Sequence, residues 1–199
     1  MESGEIVNLV LNFVSIVLGL VTVVLVARLE CGELSGRASV QFTLVIGLVD
    51  VFKSSSIILM SFWKPEGRSC QMVGFFVAFG ILAHIFLNGA LGLNLYLMFV
   101  KERGFSVDWL KYYICVALGT AFLLSVALLV LGMYPWKVDD SYCELRDLRS
   151  VWDFVAMWMF FMGWILLVCV FNFVVVCLSL YKLWTCQFEH ACQSLVLRV

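Results

Sequence analysis

Five long apolar stretches, at residues 6–27, 40–63, 71–100, 112–134 and 151–181, leave this chain little choice but to fold in a lipid bilayer. Each reaches the roughly 20 residues that a helix needs to cross a hydrocarbon core of about 30 Å. Backbone N–H and C=O groups in lipid must be satisfied within the structure, which only helices and closed barrels achieve. The alternating strands of about 10 residues that build a barrel are missing from the pattern. The expected fold is therefore an all-α, multi-pass transmembrane bundle of five helices, a single domain over residues 1–199 with a cytosolic tail at 182–199. Composition agrees, since 63% of residues are apolar and 14% charged, against about 45–50% and 25% in soluble domains. The first stretch is too long for the apolar core of a signal peptide, about 7–15 residues, and Glu2 and Glu5 stand where that leader would be basic. It reads as a retained helix.

A net charge of −1 and the lack of a basic run argue against a nucleic-acid partner. Orientation follows from loop charges. With the N-terminus outside, Arg28, Arg37, Lys101, Arg103, Lys111, Lys182 and Arg198 face the cytosol, seven basic residues against the five of Lys64, Arg68, Lys137, Arg146 and Arg149. The positive-inside rule favours that arrangement by a narrow margin. Cys70, at the head of the third stretch, and Cys143, before the fifth, fall on the same side. A bridge between them would require that side to be oxidising, hence outside; the alternative is two unpaired thiols near the surface. Cys115, Cys169 and Cys177 lie within spans and read as apolar filling. Cys186 and Cys192 follow the last span on the expected cytosolic side, where palmitoylation is an option.

Three motifs then carry a resemblance. Ser69 to Gly80 reads SCQMVGFFVAFG, Leu48 to Ser54 reads LVDVFKS with an acid three residues before a lysine, and Tyr142 to Trp152 reads YCELRDLRSVW. In their chain order, 48–54, 69–80 and 142–152, with matching helices between them, they resemble the fungal glucose-sensing, cAMP-receptor-like family of G-protein-coupled receptors. The resemblance implies a Cys70–Cys143 disulfide, a small polar ligand on the outside and a heterotrimeric G protein on the inside. It also implies that the five helices correspond to an N-terminal block which, in that family, precedes a long cytosolic loop and two further helices. A truncated product and a genuine five-helix relative both fit that expectation. The acid–Arg–aromatic triplet of rhodopsin-like receptors is missing, with Leu95 at its place. The nearest charges, Lys101, Glu102 and Arg103, read either as a cytosolic coupling element or as an interfacial anchor.

Polar residues inside the spans are the remaining signal. In the second stretch Thr43, Gly47, Asp50, Lys53, Ser54 and Ser61 gather on one helical face. Two charges exposed to lipid at mid-depth would together cost about 5–7 kcal/mol on insertion scales, so this face should turn into the bundle. Asp50 and Lys53, at i and i+3, can reach each other, either as a switch or as a static ion pair. The third stretch aligns Cys70, Gly74, Val77, Ile81, His84, Asn88, Gly92 and Leu95, and its His84 and Asn88 are expected to meet the Asp50 face. Trp63, Lys64, Arg68, Gln71 and Phe75 are candidate vestibule residues by their depth near the outer ends. The two histidines, His84 and His190, lie on different elements, and no HExxH run, GxSxG elbow or phosphate-cradling loop is present. An enzyme, a metal site or a bound cofactor is not expected. The functional expectation is a plasma-membrane receptor-like protein, N-terminus outside. The alternative is a non-signalling scaffold or accessory subunit whose helices pair with other chains.

Overall fold

The computed structural model describes residues 3–30, 38–63, 68–101, 107–134 and 150–196, with side chains at fewer positions near the segment ends. The described residues are helical with short turns, and no strand occurs among them. α1 (Ser3–Glu30), α2 (Ala38–Trp63) and α3 (Arg68–Leu95) are followed by a π-helical turn, Tyr96–Val100. α4 (Val107–Val130) comes next. α5 (Val151–Met157) then runs through a second π-helical turn, Trp158–Met162, into α6 (Gly163–Val196). Among the described residues, five helices are long and apolar enough to span a membrane: Ile6–Val26, Gln41–Leu59, Ser69–Met98, Trp109–Val130 and Val151–Thr185.

The helix ends have local causes. α4 was expected to run to residue 134, but it stops at Val130 because Gly132 takes the left-handed conformation (φ 66°) that glycine adopts without a Cβ penalty. Met133 N–H then donates to the Leu128 carbonyl at 3.0 Å and Gly132 N–H to that of Leu129 at 3.1 Å. This is the paired bonding that satisfies orphan carbonyls at a helix end. The turn folds Met133 and Tyr134 back into the core. The fifth span starts where expected, because Ser150 Oγ accepts from Asp153 N–H at 3.1 Å while Asp153 Oδ2 accepts from Ser150 N–H at 3.2 Å. Its end differs: no Gly or Pro follows Tyr181, and the helix continues through the expected tail to Val196.

α3 is the centre of the bundle, packed against α2, α4 and α6, while α1 packs on α2. Half of the α3 span is buried within the protein, against 11–22% of the other four. Instead of one buried stripe, α3 therefore buries Val73, Phe75, Ala78, Leu82, Ala83 and Leu87 around much of its circumference. The main core sets Phe75, Ala78 and Leu82 against Ala121 and Leu128 of α4, Met133 and Tyr134 of the turn, and Phe161. Phe75 stacks near-parallel on Phe79 and meets Phe122 edge-on, with centroids 5.8 Å apart in the latter pair.

Small residues set the crossings, as they do where helices must approach closely in lipid. A Cβ placed on Gly19 of α1 would lie 2.8 Å from Val51 Cγ2, and one on Gly47 of α2 would lie 3.2 Å from Val23 Cγ2. On α3, a Cβ at Gly80 would lie 3.0 Å from Lys53 Cβ and 3.1 Å from its Cα. The second contact is with backbone and cannot be relieved by a rotamer change. Gly80→Ala should thus push α2 off α3 and cost on the order of 1–3 kcal/mol, as overpacking does. Gly119→Ala, which meets nothing within 4 Å, should be neutral. Thermal unfolding of both variants in the same detergent checks the contrast.

Candidate functional site

Asp50 sits midway along α2 and takes donors from two helices. Ser15 Oγ of α1 donates to Asp50 Oδ2 at 2.7 Å, and Lys53 Nζ, one turn along α2, donates to Asp50 Oδ1 at 2.5 Å. His84 of α3 brings its Nδ1 to 3.6 Å from the same Oδ1, within ion-pair range when the ring is protonated. That nitrogen is buried and has no hydrogen-bond partner. One carboxylate therefore links α1, α2 and α3.

The expected face of α2 holds: Gly47 and Ser54 are buried and Asp50 and Lys53 half-buried, while Leu48 and Phe52 are exposed. Pairing explains how charges persist at this depth. Each carboxylate oxygen has a charged or hydroxyl donor, and charge-assisted bonds of this kind are about twice as strong as neutral ones. The expected meeting of the Asp50 pair with α3 is made by His84. Asn88 instead donates from Nδ2 to the His84 carbonyl at 2.8 Å, within its own helix. Lys53 reaches Asp50 past the Cβ-free backbone of Gly80, whose hydrogen leaves room for the lysine stem.

Chemically, this arrangement gives Asp50 one cationic partner, Lys53, and one titratable neighbour, His84. With His84 neutral, Lys53 carries the charge balance; a proton on His84 would supply a second cation to the same oxygen and loosen the hold on Lys53. Such exchange alters contacts between α2 and α3 without any covalent step. Among the described residues no group of three or more His, Cys, Asp or Glu is placed to hold a metal ion.

The other candidates are distributed differently. Gln71 is half-buried and Phe75 lies in the core against α4, so its ring serves packing between α3 and α4. Trp63 ends α2 and Arg68 begins α3, with their side chains outside the described set, and Lys64 lies outside the described residues. Cys70 is buried at the head of α3 and is not among the free cysteines Cys115, Cys169 and Cys177; Cys143 lies outside the described residues. Lys101 is exposed at the end of the π-helical turn, and Glu102 and Arg103 fall outside the described residues, as do the side chains of Cys186 and Cys192.

Two features escaped the sequence reading. Ser15 was hidden in a helix read only for its apolarity, although Asn8, Asn12, Ser15 and Gly19 share one face at helical spacing. The second is a seam between α3 and α6. There Asn172 Oδ1 lies where a Cβ on Gly92 would be, and Lys182 Nζ donates to the Val100 carbonyl at 3.2 Å. The signal was present as Val168, Asn172, Val175, Ser179 and Lys182, recurring at three- and four-residue steps.

At the outer rim of the core, burial raises the Tyr134 hydroxyl above the ordinary tyrosine range; it donates to the Ser125 carbonyl at 3.4 Å. No protein-family model and no curated protein matches the chain.

Removing one partner of a buried pair leaves an uncompensated charge, which costs about 3–5 kcal/mol when burial is complete; here the groups are about 20% exposed, so a smaller loss is expected. Asp50→Ala should therefore destabilise the protein more than the double variant Asp50→Ala/Lys53→Met. A double-mutant cycle should give a coupling of roughly 1–3 kcal/mol, measured by thermal or denaturant unfolding in detergent.

Proposed function

We propose that this chain is a receptor-like membrane protein that senses a small polar ligand on one side of the membrane and passes the signal to a heterotrimeric G protein on the other. The observation that carries the reading is the Asp50 cluster. A carboxylate, an ammonium and an imidazole are held together at mid-membrane across α1, α2 and α3. Ionisable groups within spans are costly and tend to mark functional elements. In this reading they act as a two-state contact, in which a proton on His84 sets it against Lys53 at one oxygen. A ligand acts on such a contact only by binding one packing of the helices better than the other.

The orientation in this reading puts the N-terminus outside, at the plasma membrane, with the α2–α3 and α4–α5 connections facing the ligand. Support comes from the loop charges and from Cys70, buried at the head of α3, for which we assign Cys143 as disulfide partner. Lys182, tied to the end of the third span, then faces the cytosol with Lys101, where a G protein would dock.

Two experiments test the proposal. Labelling of intact cells with an impermeant thiol reagent should modify a cysteine introduced at Ser141 and spare one at Ser194, and non-reducing peptide mapping should recover Cys70 linked to Cys143. The opposite labelling pattern removes the orientation, and with it the coupling face. For signalling, membranes carrying the protein and a G protein should show nucleotide exchange above protein-free membranes. Asp50→Asn should shift that exchange by about tenfold, the effect of roughly 1.4 kcal/mol on a two-state equilibrium, with surface expression retained. Exchange that is indifferent to the protein would favour the scaffold or accessory-subunit reading.

A further inference from the structure

The α1–α2 interface holds polar groups that the Asp50 contact does not account for. Asn8, Asn12 and Ser15 lie at i, i+4 and i+7 of α1, on the face that carries Gly19 against α2. Asn12 Nδ2 donates both to the Asn8 carbonyl at 2.8 Å and to Asn8 Oδ1 at 2.9 Å. Ser15 continues the line to Asp50.

The antiparallel register is fixed by Gly19 against Gly47 and Val51, and by Ser15 against Asp50. It sets Asn12 at about the level of Ser54, one α2 turn beyond Asp50. Ser54 is fully buried and its Oγ has no hydrogen-bond partner. Asn8 is exposed and Asn12 half-buried, so the line opens progressively towards the membrane face at which α1 begins.

Lipid cannot satisfy this row. An amide or hydroxyl left without a partner in hydrocarbon costs several kcal/mol. The Asn12 bonds run only back to Asn8, and Ser54 is unpartnered, although both side chains have further capacity for bonding. A site with several convergent polar groups is the kind that holds ordered water. The distance is short: Asn8 to Ser15 is seven residues, about 10.5 Å along a helix axis.

We infer that a water-filled track runs between α1 and α2 from the membrane face where α1 begins, past Asn8, Asn12 and Ser54, to Asp50. Its ligand is water, bound as a hydrogen-bonded file. Its function is to give the Asp50–Lys53–His84 cluster aqueous contact from one side of the membrane only. Water beside Asp50 replaces part of the lost hydration each time Lys53 or His84 lets go, so rearranging the cluster does not require a bare charge in lipid. The inference rests on the α1–α2 geometry and stands whether or not the protein couples to a G protein.

The test uses four single variants of the full chain in lipid nanodiscs, where both faces are open to reagent: Asn12→Cys, Ser15→Cys, Leu11→Cys and Leu18→Cys. Leu11 and Leu18 are exposed on the outside of α1, at depths close to those of Asn12 and Ser15. Each variant is treated with the charged reagent methanethiosulfonate ethylsulfonate, and modification at the introduced residue is read by peptide mass spectrometry. The reagent attacks thiolate, and a thiol held one pK unit nearer its aqueous value has about tenfold more of it. Asn12→Cys and Ser15→Cys should react at least about tenfold faster than the leucine-site controls. Rates at both sites no faster than the controls overturn the track. Fast reaction at Asn12→Cys with none at a correctly folded Ser15→Cys overturns its reaching Asp50. None of the four variants removes Asp50 or Lys53. Should Ser15→Cys fail to fold, the pair Asn12→Cys and Leu11→Cys decides alone, and reaction at Asn12→Cys no faster than at Leu11→Cys overturns the track.

Discussion

A carboxylate placed midway through a hydrocarbon layer obliges its surroundings to neutralise it. Asp50 is such a group, and the three helices around it are arranged to meet that demand. Ser15 supplies α1 with a polar tie to α2. Lys53 supplies the counter-charge, and it can approach only because Gly80 removes a side chain from the facing surface of α3. His84 brings α3 to the same oxygen. Loss of the carboxylate would therefore remove the polar reason for α1, α2 and α3 to meet in this register, leaving the glycine crossings alone to define it.

The rest of the bundle is organised by apolar packing around α3. Its aromatic seam with α4, built on Phe75, Phe79 and Phe122, and its glycine contacts with α6 give the central helix neighbours on several sides. The two halves differ in character. Contacts towards α2 combine the Asp50 cluster with the edge-on rings of Phe52, Phe76 and Phe79. Contacts towards α4 are close-packed rings and small residues, which resist gradual deformation. Movement at the polar side would thus be taken up against a stiff backing.

Much of this was legible in the residues. Span number and type follow from apolar length, and the inward face of α2 from the cost of exposing Asp50 and Lys53. The meeting with α3 followed from the shared depth of Asp50 and His84. What escaped has identifiable causes. Ser15 is a single small hydroxyl in a helix whose hydropathy overwhelms it, and its importance comes from a partner 35 positions away. The early end of α4 was marked by Gly132, but an isolated glycine in an apolar run is also common at helix contacts, so its left-handed role emerges only with the fold. The continuation of α6 past Tyr181 follows from the lack of a breaker, whereas the expected end follows the edge of the apolar run. Asn88 could bond outward or backward, and spacing alone does not choose between a neighbouring helix and its own carbonyl.

The order in which the helices are made bears on the Asp50 contact. α2 carries two full charges and would be the least willing of the spans to enter lipid alone. Both of its close donors are nevertheless at hand when it is synthesised: Lys53 is its own, and Ser15 belongs to the helix completed immediately before. α1, apolar enough to insert without help, thus waits in the membrane with a hydroxyl already facing the place that α2 will take. The hairpin of α1 and α2 can neutralise its buried acid before α3 emerges, so that His84 arrives as a late partner to a contact already closed.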